Sequence, residues 1–206
     1  MKKTKDKAKK PEATKTETTT RGEIYDWMQS LVFALIICIL VFVFLFRIVD
    51  VSGDSMNPTL TNGDKLVVSD VFYKPKQGDI VIFRKDEYKP EALVKRVIAT
   101  EGQTVEIDFD RGRVYVDGEL LDEPYIAEPT RNQLDFKGAQ TVPEGCVFVM
   151  GDNRNHSEDS RFSDVGCVKK EAVLGKVLLV IFPGRQTNEL GAVTGGRDWH
   201  RFGAVS

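Results

Sequence analysis

The longest apolar run comes early in the chain. Residues 27–46 carry no charged side chain, and from 31 to 46 every position is apolar. As a helix rising 1.5 Å per residue, about 20 residues reach about 30 Å, the depth of a bilayer's hydrocarbon core. The run is apolar on all faces, begins at Trp27, stops at Arg47, and has no second stretch like it. It predicts a transmembrane helix over 27–48 rather than a buried core helix. Beyond it the period shortens. Apolar and β-branched runs at 65–68, 79–83, 93–98, 104–109, 113–116, 147–150 and 177–182 are broken by Asn62-Gly63, Gln77-Gly78, Arg111-Gly112 and Asp117-Gly118. Short runs punctuated by such dipeptides are strands joined by tight turns. Residues 49–185 therefore read as a mainly β domain, its antiparallel sheets coiled into a partly closed barrel and preceded by one N-terminal transmembrane helix.

Charge orients this arrangement. The formal net charge of −2 hides a basic head: residues 1–26 hold eight Lys/Arg against five Asp/Glu, the remainder 21 against 26. The head has almost no large apolar side chain before Ile24 and reads as a disordered segment. Lysines on the N-terminal flank place that end in the cytoplasm and the β domain outside it, with membrane lipid as a partner. No aromatic residues interleave with the lysines, so a nucleic-acid arm is set aside. A head this long, with no small-residue cleavage pattern after the run, argues for an uncleaved signal anchor rather than a cleaved leader. Phe72 and Tyr73 belong either to the core or to a surface that dips into the membrane interface. The tail, 186–206, is Gly-rich and polar around Trp199 and Phe202, reads as poorly ordered, and suggests no role. Oligomeric state leaves no trace.

Cys38 falls inside the apolar run. Cys146 and Cys167 could pair outside the cytoplasm, but spacing alone leaves that open. With only His156 and His200, and no Cys/His cluster at zinc spacing, neither a metal nor another cofactor is expected.

Four stretches carry candidate chemistry. Residues 52–60 (SGDSMNPTL) put Ser55 in a Gly/Pro bend just past the apolar run. Residues 78–83 (GDIVIF) are a turn and a strand. Residues 94–98 (VKRVI) set Lys95 among apolar neighbours, and 151–161 (GDNRNHSEDSR) form a polar loop after an apolar strand. Singly, a serine in a bend is usually a turn former and a strand lysine usually meets water.

Together, in this order, the four stretches resemble the boxes of bacterial type I signal peptidase, over about residues 50–182 and only in general character between 102 and 142. The resemblance implies a membrane-bound serine endopeptidase that cuts signal peptides from exported preproteins after small residues of Ala-X-Ala type. Ser55 would be the nucleophile and Lys95 the general base. A serine hydroxyl needs a base to take its proton. An exposed lysine titrates near 10.4, so Lys95 must be buried and neutral, as Leu93, Val94, Val97 and Ile98 would make it. The family pattern implies that Ser157 hydrogen-bonds and orients the amine, and that Asp152, Arg96, Asp159 and Arg161 pair to hold the loop. The oxyanion would take the Ser55 backbone N–H. The second donor some members place two residues before the nucleophile falls on Gly53, so either Ser52 reaches in, or that donor is missing or is water. Val51, Met56, Leu60 and Val94 would form shallow substrate pockets, and the strands around Lys95 and Asp50–Ser55 would bind substrate as an added strand. Two other readings are a self-cleaving Ser–Lys regulator, which would purify as two fragments, and an inactive anchored peptide binder, which would not turn over an Ala-X-Ala peptide.

Overall fold

The computed structural model describes residues 20–187 and 193–205; the expected disordered head up to residue 19 lies outside them. The chain divides into two compact units, with the break between Phe42 and Val43. Helix α1 (Thr20–Leu45) dominates the first. Its apolar side chains are exposed along its length, and by length and composition it can cross a membrane. It starts before Trp27, since nothing in residues 20–26 breaks a helix and Glu23 suits a first turn. It ends before residue 48, because Arg47, Ile48 and Val49 leave it for a strand.

The second unit contains β1 (Arg47–Asp50), β2 (Lys65–Ser69), β3 (Ile80–Lys85), β4 (Lys89–Thr100), β5 (Thr104–Asp108), β6 (Arg113–Val116) and β7 (Glu119–Leu120). It continues with β8 (Gln140–Thr141), β9 (Cys146–Met150), β10 (Val168–Lys169), β11 (Val173–Phe182), β12 (Arg185–Thr187), β13 (Val193–Arg197) and β14 (Gly203–Ala204). One sheet runs β1-β2-β11-β3-β4-β9-β10, with β14 also on β11; a second runs β7-β6-β5-β8; β12 and β13 pair alone. Every pairing is antiparallel. The main sheet is open, with β1 and β10 as free ends of the order, so no closed barrel forms among the described strands.

β3 shows why the core forms where it does. Four successive apolar residues are buried on both faces: Ile80 and Ile82 in a cluster with Met56, Leu60 and Leu66, Val81 and Phe83 in another with Val97 and Val149. A strand covered on both sides needs an unbroken apolar run rather than alternation. A third cluster joins the two larger sheets through Phe136, set edge-on to Phe109 and Phe148. Cys146 and Cys167, whose pairing the spacing left open, are separate thiols, and burial pushes the Cys167 thiol up. The described part of the tail is structured rather than loose: β14 pairs with Leu179 and Val180 of β11, and the Trp199 ring stands edge-on to Phe182.

Candidate active site

Residues 51–64 leave β1 and return to β2 as a closed loop. Val51 N–H donates to Asp64 O at 2.8 Å, Gly63 N–H to Val51 O at 2.8 Å, and Leu60 N–H to Met56 O at 2.9 Å. That wrapping turns Val51, Met56 and Leu60 into the core, where they are 5%, 1% and 0% exposed. They do not line the open cleft beside Ser55, nor does Val94, which lies half-buried against the same cluster. Their apolar mass holds the loop down. Gly53 has φ of +94°, in the region that side chains rarely adopt. A serine there would have room but a strained backbone. Ser52 is exposed at the cleft rim.

Lys95 reaches Ser55 from β4, where it pairs in register with Val81 of β3. Its Nζ lies 2.6 Å from Ser55 Oγ and also donates to Val94 O at 3.1 Å. The residue is 3% exposed. Burial pulls the amine down to about 8, against the lesser attraction of Asp159. An amine titrating near neutrality, in contact with a hydroxyl, is a competent proton acceptor.

The loop after β9 holds the nucleophile from behind. Asn153 N–H donates to Ser55 O at 3.0 Å and Asn153 Nδ2 to Asp54 O at 3.1 Å. Gly151 lies so close that a Cβ would overlap the Ser55 carbonyl oxygen and Ser157 Oγ. Asp152 accepts Nε and Nη2 of Arg96, at 2.9 and 2.7 Å, and the Thr59 hydroxyl at 2.5 Å. Asp159 accepts Arg161 at 2.9 and 2.8 Å and Gly151 N–H at 3.0 Å. These carboxylates and guanidiniums are fully buried, so each pair is tolerated only because nearly every donor and acceptor is matched.

Ser157 differs from expectation. It is buried beside Gly151, but its Oγ has no hydrogen-bond partner and does not bind the Lys95 amine, whose second bond goes to Val94 O. Among the described residues, Ser55 N–H makes no hydrogen bond, as an oxyanion donor requires. His156 is exposed on the cleft rim.

Several contributors went unassigned in the sequence. Gly151, Asn153 and Arg154 sit within the quoted polar loop, whose density was their only signal. Arg154 is fully buried, donating to Gly151 O, to Thr130 Oγ1 at 3.0 Å and to Glu123 Oε1 at 2.5 Å. Glu123 and Thr130 lie in a stretch without period, so nothing marked them. Asp64, also fully buried, accepts Thr61 N–H at 2.8 Å, Gly184 N–H at 2.7 Å and the Arg201 guanidinium.

The site therefore presents a serine–amine pair at the floor of an open cleft of about 510 Å³, edged by Lys89, Leu134 and Glu158. Comparison with known proteins points the same way. Residues 24–182 match the family described as signal peptidase, peptidase S26. A probable signal peptidase I-1 of Synechocystis is 41% identical over 174 residues, covering 80% of this chain and 85% of that protein. Signal peptidase I of Bacillus licheniformis is 37% identical over 181 residues, covering 81% and 92%. Signal peptidase I P of Bacillus subtilis subsp. natto is 37% identical over 177 residues, covering 81% and 94%. With the match spanning both Ser55 and Lys95, the chain belongs to the signal peptidase family of serine peptidases, peptidase S26.

Proposed function

We propose that the chain is a membrane-anchored endopeptidase that removes signal peptides from exported preproteins, with Ser55 as nucleophile and neutral Lys95 as general base. The observation that carries this is the 2.6 Å contact between a buried amine and the serine hydroxyl. With Lys95 neutral, the Ser55 O–H gives its proton to Nζ as Oγ bonds to the scissile carbonyl carbon. The oxyanion takes the free Ser55 N–H, with Ser52 or water as the second donor. As the C–N bond breaks, the Lys95 ammonium returns the proton to the leaving amine. Water then attacks the acyl-serine, its proton passing through Lys95 back to Oγ.

Substrate binding as an added strand has a specific support. β3 covers one edge of β4 from Lys89 to Arg96, whereas β9 covers the other edge only from Arg96 onward. The edge beside Lys95 is free to bind an extended peptide. Cleavage after small residues of Ala-X-Ala type is carried over from the family resemblance. Helix α1 is the anchor, its lysine-rich flank cytoplasmic and the catalytic unit outside.

The full chain in detergent should cleave a preprotein bearing an Ala-X-Ala site, with kcat/KM rising with pH through about 8 as Lys95 deprotonates. Ser55→Ala and Lys95→Ala should each abolish turnover with little change in melting temperature, and Lys95→Arg should fail as well. Cleavage at the parental rate by any of the three would remove this reading.

A further inference from the structure

Resting on the anchored reading, we propose that the loop 70–76 is a lipid-docking element: Phe72 inserts its ring into the bilayer interface while Lys74 and Lys76 bind anionic headgroups. Three observations converge on it.

The first is position along the chain. Arg47 is two residues past the last residue of α1 and is in register with Val68, and its Nη2 lies 3.4 Å from Asp70 Oδ2. The loop therefore begins at the end of β2 that abuts the chain's emergence from the apolar helix. Two residues of chain span at most about 7 Å, so an anchored helix delivers this end of the domain to the lipid surface.

The second is conformation. Phe72 is 99% exposed and Val71 42% exposed. Phe72 also has φ of +51°, costly for a bulky side chain and maintained only where the surroundings enforce it. The enforcement is visible: Tyr73 N–H donates to Asp70 O at 3.1 Å, and Asp79 accepts the Tyr73 hydroxyl at 2.8 Å and Lys76 N–H at 3.0 Å. Lys176 ties Asp79 in turn at 2.5 Å. Tyr73 is thereby held inward and Phe72 driven outward. A single exposed apolar residue on a mobile loop is commonplace, but one projected by a fastened, strained turn is not.

The third is charge. Lys74 and Lys76 are exposed, and among the described residues their ammonium groups join no ion pair or hydrogen bond. With Phe72 they line an open recess of about 470 Å³. An exposed aromatic ring followed by two lysines without ion-pair partners matches the interface of an anionic bilayer, where the ring is buried at the headgroup boundary and each lysine adds attraction.

The test uses the full chain reconstituted into vesicles of phosphatidylcholine and phosphatidylglycerol with bromine on the acyl chains. One variant carries Trp27 as its only tryptophan, through Trp199→Phe. The other carries Phe72→Trp with Trp27→Phe and Trp199→Phe. Both tryptophans should be quenched and blue-shifted, position 72 only when phosphatidylglycerol is present. Phe72→Ser should lower the docked-to-free ratio by roughly ten- to a hundredfold, the effect of exposing one aromatic side chain. It should slow preprotein cleavage in vesicles while leaving short-peptide turnover in detergent unchanged. Quenching at Trp27 without quenching at position 72 would overturn the loop assignment and leave the anchor standing. Quenching at neither would overturn both. Equal quenching of position 72 in pure phosphatidylcholine would overturn the anionic-lipid assignment. Protection of position 72 in detergent that grows with protein concentration would assign the loop to a second copy instead.

Discussion

Holding Lys95 out of water has a cost that can be measured. Its amine titrates at about 8 in the fold against 10.5 unfolded, a difference worth as much as about 3 kcal/mol. Between those values the unfolded chain binds more protons than the folded one, so stability should climb as pH rises through the window, and the full penalty applies below it. Lys95→Met, which keeps the stem and removes the amine, should be the more stable protein at pH 7 and lose that climb; denaturant melts at pH 7 and pH 10 read both. Gly151 makes the complementary case for geometry. Gly151→Ala forces a methyl against the Ser55 carbonyl, so kcat/KM should fall by about a hundredfold while stability falls by about 1–3 kcal/mol. Retained kcat in a folded Gly151→Ala protein would show that the loop does not set the nucleophile. The Ser55–Lys95 pair was legible because two short boxes named it. Nothing local in the sequence bears on the orientation of Ser157, whose hydroxyl has no hydrogen-bond partner in the structure. Apolar character at Val51, Met56, Leu60 and Val94 tells that a side chain avoids water, not whether it faces substrate or core.

Elements of five or more residues in the catalytic domain announced themselves, whereas β13 in the glycine-rich tail and the two-residue strands did not. β7, β8 and β10 are too short to show any period, and β14 is a glycine and an alanine whose placement depends on β11, more than twenty residues earlier in the chain. β1 was hidden for another reason: Ile48 and Val49 continue the apolar run and look like more helix. Through Arg201, which follows β13, the tail reaches Asp64 under the nucleophile loop, a contact no local pattern could show. Arg201→Ala would leave that buried carboxylate with two backbone donors and should lower stability by about 2 kcal/mol, with Arg201→Lys recovering part of it. Urea melts of both variants decide this, and an unchanged midpoint in the alanine variant would mean the tail contact is idle.

At the scale of the whole molecule, the proposed function assigns anchoring and cutting to the two sides of the division near Phe42. A fragment of residues 46–206 should unfold in one transition and hydrolyse a short soluble peptide with the parental pH dependence. Its processing of a preprotein presented on vesicles should fall by at least about a hundredfold, the advantage of confining both reactants to one surface being lost. Comparable vesicle rates for fragment and full chain would deny the anchor a kinetic role.

The bare edge of β4 beside Lys95, left where β9 stops, has a consequence for timing. If substrate adds to this edge as a strand, as proposed, only a segment whose own amides are still unsatisfied can zip onto it, and a cargo that has already buried its first residues in a folded body should resist cutting. The enzyme therefore acts as a clock as well as a knife: release must come while the emerging polypeptide is still slack near the junction, and mature regions that fold too early should linger uncut.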